Sequence, residues 1–352
     1  MSTQDTLSIK PIPLPTSIEH SFMTKHRTAH VLVDPNYRIW DRSVIKWHDG
    51  KYHAYYARWQ GIHDRWLSDS EIVHAVSDTP EGPFTVTGVV IANRNPGGWD
   101  SVDAHSHCSI VIDEQVAIYF QTLDLRGHTP PRNDTGHIHF SDEWLANKDN
   151  YRTLVFAQRL GMAVADNPAG PFVRSTHPVI TPEDSDLISG ITDNPAVAYK
   201  DSRYVMVFKS FDATKEGIHR SQFVGHAQTM AGPFSVAEEP VYTEKQTEDA
   251  TLWYDKILNR YYMVCHVCGE SALAMFTSTD GLRWAPAAQP ILMKKEFLLE
   301  DGSIWKPNYV EQPRVLTDDS GTPIMLYVAV GDGEGGKEGV NGNIAVFLDA
   351  TR

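Results

Sequence analysis

The sequence has little cysteine. Among 352 residues there are three, Cys108, Cys265 and Cys268, which excludes a fold built on disulfides. Cys265 and Cys268 form a CxxC pair, but no second pair supplies the other ligands of a zinc site. Residues three apart on a strand point to opposite faces, so the sequence predicts two separate buried thiols.

Long apolar runs and basic clusters are also missing. No stretch approaches 18 apolar residues, and the first 15 residues, MSTQDTLSIKPIPLP, lack the apolar segment of a signal peptide. We therefore expect a cytoplasmic protein. Lys and Arg number 31 against 45 Asp and Glu, a net charge of −14, so neither nucleic acid nor a membrane is expected as a partner. A few local Arg or Lys side chains can still bind an acidic small molecule.

Helical periodicity is scarce, and β-strand patterns take its place. The chain has 24 Gly, 21 Pro, 9 Trp, 14 Tyr and 13 Phe, a composition typical of many short strands joined by turns. A strand, a turn, an aromatic residue and a second strand recur at 72–91, 162–180, 224–242 and 273–292. Five further strands precede or follow these units, at 51–59, 115–122, 203–211, 260–267 and 322–330. This repetition predicts an all-β fold, a five-bladed β-propeller, with a β-sandwich as the alternative.

The repeats also divide the chain. Residues 1–28 are predicted to be a short N-terminal extension, which could join two copies as a homodimer, and residues 29–352 to be the propeller. The last unit is one strand short, and residues 29–33 are expected to supply that strand. Insertions are expected in the 90s, in the 120s–150s and at 293–308.

Acidic residues recur where the first strand of each unit begins. Counted back from the five aligned strands, the equivalent positions are Asp41, His105, Asp193, Asp249 and Glu311. The first strand of a propeller blade lines the central channel, so these side chains should converge on the axis. Clustered carboxylates suit glycoside hydrolysis, in which one acts as acid and another as base. They also suit a divalent cation such as Ca²⁺ on the axis. No cofactor is expected to be required.

Several segments resemble known enzymes. The Asp41 segment, ITDNPAV, TEDATLWYDKILNRYYMVCH, ALAMFTSTDGLRW and VEQPRVLTDDSGTPIMLYVAV are similar to the five-bladed propeller glycosidases of glycoside hydrolase families 43 and 117. The resemblance covers roughly residues 35–350. It implies that Asp41 is the general base and that Asp193 tunes the proton donor. The donor itself stays open among Glu248, Asp249 and Glu311.

Other side chains near strand ends are candidates for substrate binding: Trp40, Arg42, His105, His107, Lys209, His226 and Arg314. His105 and His107 are two apart on a strand and should share a face, where they could contact sugar hydroxyls, bind a metal or donate a proton. Trp59 and Trp99 join Trp40 as candidates for stacking on a sugar, with packing between blades as the alternative.

Together these features predict an exo-acting glycoside hydrolase that inverts configuration. The resemblance favours a family 117-like enzyme that releases 3,6-anhydro-galactose from neoagaro-oligosaccharides. The alternatives are a phosphorylase on the same fold and a sugar-binding propeller without catalytic activity.

Overall fold

The computed structural model describes residues 4–334 and 336–352, and β-strands dominate it. The chain starts with strand β1 (Ser8–Pro11), helix α1 (Ile18–Met23) and strand β2 (Val31–Leu32). Four antiparallel sheets of four strands follow, each made of strands consecutive in the chain. The first is β3 (Arg38–Lys46), β4 (Tyr52–Trp59), β5 (Glu71–Ser77) and β6 (Thr85–Ile91), and the second is β7 (Asp100–Ile112), β8 (Gln115–Asp124), β9 (Gln158–Ala165) and β10 (Val173–Arg174). The third is β11 (Ile188–Lys200), β12 (Arg203–Asp212), β13 (Arg220–Ala227) and β14 (Ser235–Val236), and the fourth is β15 (Thr247–Asp255), β16 (Arg260–Val267), β17 (Ala272–Ser278) and β18 (Ala285–Lys294).

The fifth sheet combines strands from both ends of the chain. After a short hairpin, β19 (Phe297–Leu298) and β20 (Ile304–Trp305), come β21 (Tyr309–Thr317), β22 (Pro323–Asp332) and β23 (Val340–Thr351). Strand β1 completes this blade by pairing with β23, with Ser8 opposite Thr351. Strand β2 pairs with β23 nearer its start, with Val31 opposite Ile344. The missing strand therefore comes in two pieces. The expected residues 29–33 supply one, and the segment predicted as an extension supplies the other.

Burial along the strands follows their place in the blade. Strand β8 is buried along nearly its whole length because both of its faces pack against neighbouring blades. Strand β6, at the outer edge of its blade, alternates between exposed and less exposed residues. The second strand of a blade is therefore buried on both faces, whereas the outermost strand is partly buried on one face only.

Apolar clusters fill the spaces between all pairs of neighbouring blades and so close the ring. Separate clusters join the first blade to the second, the second to the third, the third to the fourth and the fourth to the fifth. The remaining one, which includes Tyr56 and Tyr327, joins the fifth blade to the first. The five-bladed β-propeller predicted from the sequence is confirmed.

The few helices lie in the connections. Besides α1, they are α2 (Trp66–Asp69), α3 (Asp142–Ala146) and α4 (Lys148–Phe156), with single 3₁₀ turns at His63–Arg65, Pro182–Asp184 and Gly336–Glu338. Helices α3 and α4 form the predicted insertion of the 120s–150s, and their apolar residues pack beside the second blade. None of the helices in the described ranges is long and apolar enough to cross a membrane.

Candidate active site

Every inner strand carries the same β-bulge. In β3, Trp40 lies opposite Ala57 and Ser43 opposite Tyr55, so three steps on one strand match two on its partner. Equivalent shifts occur at 105–108, 193–196, 248–251 and 311–314. The residue just inside each bulge has a left-handed backbone, a conformation that short polar side chains adopt more readily than most. These residues are Asp41 (φ 55°), Ser106 (42°), Asn194 (50°), Asp249 (61°) and Gln312 (49°).

The bulges sort the axial residues into rings. We call Trp40, His105, Asp193, Glu248 and Glu311, which stand just before the bulges, the pocket ring. The five left-handed residues that follow them form the bulge ring. The sequence placed Asp41, His105, Asp193, Asp249 and Glu311 at one position, and this is wrong. Asp41 and Asp249 belong to the bulge ring, and the fourth-blade counterpart of Asp193 is Glu248.

A pocket of about 360 Å³ opens above these rings. All five pocket-ring residues line it, together with Ser106, Asn194, Asp249 and Gln312 from the bulge ring. Further lining residues are Trp59, His63, Trp66, Tyr151, Val155, Gln158, Ile191, Lys209, Phe211, Ile218, Arg220 and Lys337. The pocket is therefore both acidic and aromatic.

Asp41 lies behind the pocket wall. Its side chain is fully buried, and its Oδ2 accepts a hydrogen bond from the backbone N–H of Ser106 at 2.8 Å and lies 3.2 Å from Nε2 of His105. Its Oδ1 makes no hydrogen bond with a described residue. Burial raises the pKa of Asp41 to about 7, and the charge of Asp193 adds to this, while Arg314 opposes it. The carboxyl thus has a base-like pKa, but His105 and Ser106 stand between it and the pocket.

Two pocket-ring carboxylates share one ammonium group. Nζ of Lys209 lies 3.1 Å from Oδ2 of Asp193 and 3.6 Å from Oε2 of Glu248. Nη1 of Arg220 donates to both oxygens of Glu248 at 3.0 Å. Burial would raise the pKa of Glu248, but Lys209, Arg220 and His266 outweigh it and lower the pKa to about 2. Glu248 is therefore ionised at neutral pH.

The pKa values of Glu311 and Asp249 are shifted upward instead. Burial raises the pKa of Glu311, and the charge of neighbouring Glu248 raises it further. The Glu311 carboxyl lines the pocket, and no hydrogen bond links it to another residue of the described ranges. Burial and Glu248 likewise raise the pKa of Asp249 well above its usual range. Amide groups hold Asp249: Nε2 of Gln312 donates to its Oδ1 at 2.9 Å, and Nδ2 of Asn194 donates to the same oxygen.

The bulge separates the two histidines that the sequence placed on one face. His105 lines the pocket, with its Nδ1 2.9 Å from Oγ of Ser70. His107 is fully buried and does not line the pocket, because the extra residue of the bulge, Ser106, interrupts the alternation of the strand. Burial lowers the pKa of both rings to about 3, so both are neutral.

Four other predicted side chains also lie away from the pocket. The Arg42 guanidinium sits 4.5 Å from the ring centre of Tyr327, in the interface of the first and fifth blades. His226 pairs with Val205, four residues along β12 from Lys209. Trp99 is buried and donates from Nε1 to the carbonyl of Ser175 at 3.0 Å. The fourth is Arg314, which lies deeper on the axis.

The sequence repeats gave no indication of several residues that line the pocket. Trp66 and Tyr151 come from connections that belong to only one blade each. Lys337 lies in the turn before β23, which Arg38 holds by donating to the carbonyl of Lys337 at 3.0 Å. Arg220 is the first residue of β13, opposite Phe211 of β12, and its side chain reaches Glu248 of the next blade, a contact that no repeat in the sequence indicates.

The CxxC cysteines are free thiols in different surroundings. Cys265 is buried, as predicted, whereas Cys268 is half-buried. Sγ of Cys268 lies 3.7 Å from Oε1 of Glu248, at the edge of the pocket.

Comparison with known proteins identifies the fold. No protein-family model matches the sequence, and no curated protein matches it either. Solved structures do match over most of their length. A family 117 glycoside hydrolase from the marine bacterium Zobellia galactanivorans has a TM-score of 0.64 at 15% identity, over 98% of this chain and 90% of the other.

Two family 43 structures are also similar. A thermostable glycoside hydrolase has a TM-score of 0.58 at 13% identity, over 91% of this chain and 92% of the other. A β-xylosidase/α-arabinofuranosidase from a compost microbial metagenome has a TM-score of 0.56 at 13% identity, over 97% and 96%. The resemblance to families 117 and 43 is thus confirmed at the level of the fold.

Proposed function

We propose that the protein is a glycoside hydrolase that removes a terminal sugar from a small oligosaccharide. The observation that carries this proposal is the pair Glu248 and Glu311. They are neighbours in the pocket ring, and their surroundings push their pKa values apart, lowering that of Glu248 and raising that of Glu311. An ionised and a protonated carboxyl at one site are what glycoside hydrolysis requires.

The shape of the pocket supports action at a chain end. The buried residues of the bulge ring close its floor, so a substrate enters from one side. A volume of about 360 Å³ is at the small end of ligand pockets. Trp40, Trp59 and Trp66 line one part of the wall and offer aromatic faces to an apolar sugar surface.

In our assignment Glu311 is the general acid. Its protonated carboxyl donates to the oxygen of the leaving group as the glycosidic bond breaks. Asp193, two blades away in the ring and paired with Lys209, is the general base that takes a proton from the attacking water. Attack from the side opposite the leaving group inverts the anomeric configuration. Glu248 supplies the negative charge that adds to burial in raising the pKa of Glu311, and Asp41 orients His105.

The resemblance instead gives the base role to Asp41, and variants separate the two assignments. Each of Glu311→Gln, Asp193→Asn and Asp41→Asn is assayed on an oligosaccharide and on an aryl glycoside of the same sugar with a good leaving group. The activity of Glu311→Gln on the oligosaccharide should fall about 10²–10⁴-fold. Its activity on the aryl glycoside should fall much less, because that leaving group departs without help from a general acid. Asp193→Asn should lose activity on both substrates. Glu296→Gln, which removes a carboxyl outside the pocket, is the matched control.

The outcomes decide between named alternatives. Full activity of Glu311→Gln on the oligosaccharide would remove the acid role, and an active Asp193→Asn with an inactive Asp41→Asn would restore Asp41 as the base. Neoagaro-oligosaccharides with a terminal 3,6-anhydro-galactose come first in the substrate panel, followed by arabino- and xylo-oligosaccharides. NMR of the first-formed anomer tests inversion. If a broad panel yields no cleavage, the sugar-binding propeller is supported.

A phosphorylase is the second candidate, because three cationic side chains line the pocket: Lys209, Arg220 and Lys337. Arg42, a substrate-binding candidate in the sequence, lies outside the pocket. A phosphorylase would use phosphate in place of water, so turnover that requires inorganic phosphate and yields a sugar phosphate would establish it.

A further inference from the structure

A buried guanidinium lies on the propeller axis beneath the pocket. Arg314, on β21 of the fifth blade, is 3% exposed. Its Nε donates to the carbonyl of His107 in the second blade at 3.0 Å, and its Nη1 donates to the carbonyl of Ala250 in the fourth blade. Its Nη2 donates to Oε1 of Gln312 at 3.4 Å. A single side chain therefore links three of the five inner strands.

The surroundings of Arg314 do not suit a divalent metal ion. Two residues beyond each bulge-ring member, the inner strands supply Ser43, Cys108, Ala196, Thr251 and Arg314, which line a small cavity of about 50 Å³. Ca²⁺ binds six to eight oxygens and favours carboxylates, whereas none of these five residues carries a carboxylate. In the described ranges, no group of three or more His, Cys, Asp or Glu could hold a metal ion. The positive charge at this place on the axis belongs to the protein.

That charge acts on the buried carboxyl of Asp41. Arg314 is the strongest of the influences that counter the effect of burial on Asp41. Other charged groups near Asp41 are Asp193, which opposes its ionisation, and Lys209, which favours it. A guanidinium both satisfies backbone carbonyls and supplies a fixed charge that cannot be lost by deprotonation.

We propose that Arg314 is a built-in axial cation, a positioning residue that joins the inner strands of the second, fourth and fifth blades and supplies positive charge to the buried carboxyl of Asp41, in place of a metal ion. The clustered carboxylates of the sequence also suited Ca²⁺ on the axis, and the geometry points to Arg314 instead. The proposal does not rest on the proposed hydrolase activity.

Metal binding and stability give the first test. Wild-type protein dialysed against EDTA should show no heat of Ca²⁺ binding by calorimetry and an unchanged Tm on Ca²⁺ addition. Arg314→Met should lower the Tm by about 10 °C, because several buried carbonyls lose their donor. Arg126→Met, at an exposed arginine paired with Asp124, should stay within about 1 °C. Stoichiometric Ca²⁺ binding that raises the wild-type Tm would overturn the proposal.

The titration of Asp41 gives a readout that a merely structural role would not move. The carbonyl stretch of its protonated form is followed by infrared spectroscopy against pH and assigned by its absence in Asp41→Asn. In Arg314→Met the midpoint should rise by about one pH unit or more. Arg314→Lys keeps the charge but not the planar fork, so its midpoint should stay near the wild-type value while its Tm falls. Arg314→Lys serves as the test if Arg314→Met does not fold. If the titration midpoint of Asp41 in Arg314→Lys rises by about one pH unit, as expected for a neutral substitution, the charge role is refuted.

Discussion

The pocket ring and the bulge ring contain carboxylates one residue apart that behave in opposite ways. Asp193 and Glu248 of the pocket ring are paired with Lys209 and Arg220. Asp41 and Asp249 of the bulge ring accept hydrogen bonds from neutral groups, and burial raises the pKa of each. The difference teaches that the step across the bulge decides whether a carboxyl meets Lys209 and Arg220 or only neutral donors. Glu311, a pocket-ring acid paired with neither cation, has a raised pKa like the bulge-ring acids.

The largest effect should come from removing the ammonium that the pocket ring shares. Lys209→Met leaves Asp193 and Glu248 without a common partner in a buried site. The free energy of unfolding should fall by about 3–5 kcal/mol, as when one member of a buried ion pair is lost. Urea denaturation measures it.

The control is Lys51→Met, at a half-exposed lysine whose partner Asp78 is mostly exposed. It should change the free energy of unfolding by less than about 0.5 kcal/mol. Equal costs for the two variants would show that the pocket-ring pairs contribute nothing to stability.

A smaller effect, with a distinct pH dependence, should follow from Asp41→Asn. The folded pKa of Asp41 is about 7 against 3.8 for the free side chain, so the folded state binds a proton that the unfolded state has lost between these values. Wild-type stability should therefore decline as pH rises from about 4 to 7 through this residue. The variant lacks this decline. Its free energy of unfolding relative to that of the wild type should therefore rise by about 2–4 kcal/mol across that window.

Urea denaturation at pH 3, 4.5, 6 and 7.5 measures the difference from the wild type over the pH ranges in which Asp41 and Glu248 each act. Glu248→Gln is the comparison within the pocket ring. Its carboxylate has a lowered pKa, so its contribution is present at neutral pH and is lost as pH falls through that pKa, opposite in sign to Asp41. Parallel pH curves for the two variants would contradict the distinction between the rings.

The smallest effect should come from Arg220→Met. The Arg220 side chain is 44% exposed, so solvent screens its pair with Glu248. We expect a loss of less than about 1 kcal/mol that disappears in 1 M NaCl, whereas the loss in Lys209→Met persists. A salt-independent loss at Arg220 would show that this pair is more shielded than its exposure indicates.

The fold could be predicted from the sequence because the same pattern is repeated in the strands of every blade. Aromatic and apolar residues recur in β4, β8, β12, β16 and β22, since each is buried between two neighbouring blades. The spacing of these strands indicates five units even though the residues differ from one unit to the next.

The site was predicted less well, and the errors have physical causes. Counting back from those strands crosses turns of unequal length, such as 47–51 before β4 and 113–114 before β8. The bulge then adds a residue in every inner strand. A slip of one residue, which moved Asp41 and Asp249 into the wrong ring, could not be seen from the sequence. Neither could Trp66 and Tyr151, which reach the pocket from connections outside the repeat.

The closure of the fifth blade has a consequence for how the ring forms. Four blades are continuous in the chain, but the fifth needs Ser8–Pro11 to find a strand that ends at Thr351. Contacts of such sequence separation carry the largest loop-closure entropy and slow folding. A circular permutant that joins Thr351 to Ser8 by a short turn and opens the chain at an exposed hairpin such as 113–114 would make that contact local. It should fold faster than the natural order while keeping the same ring.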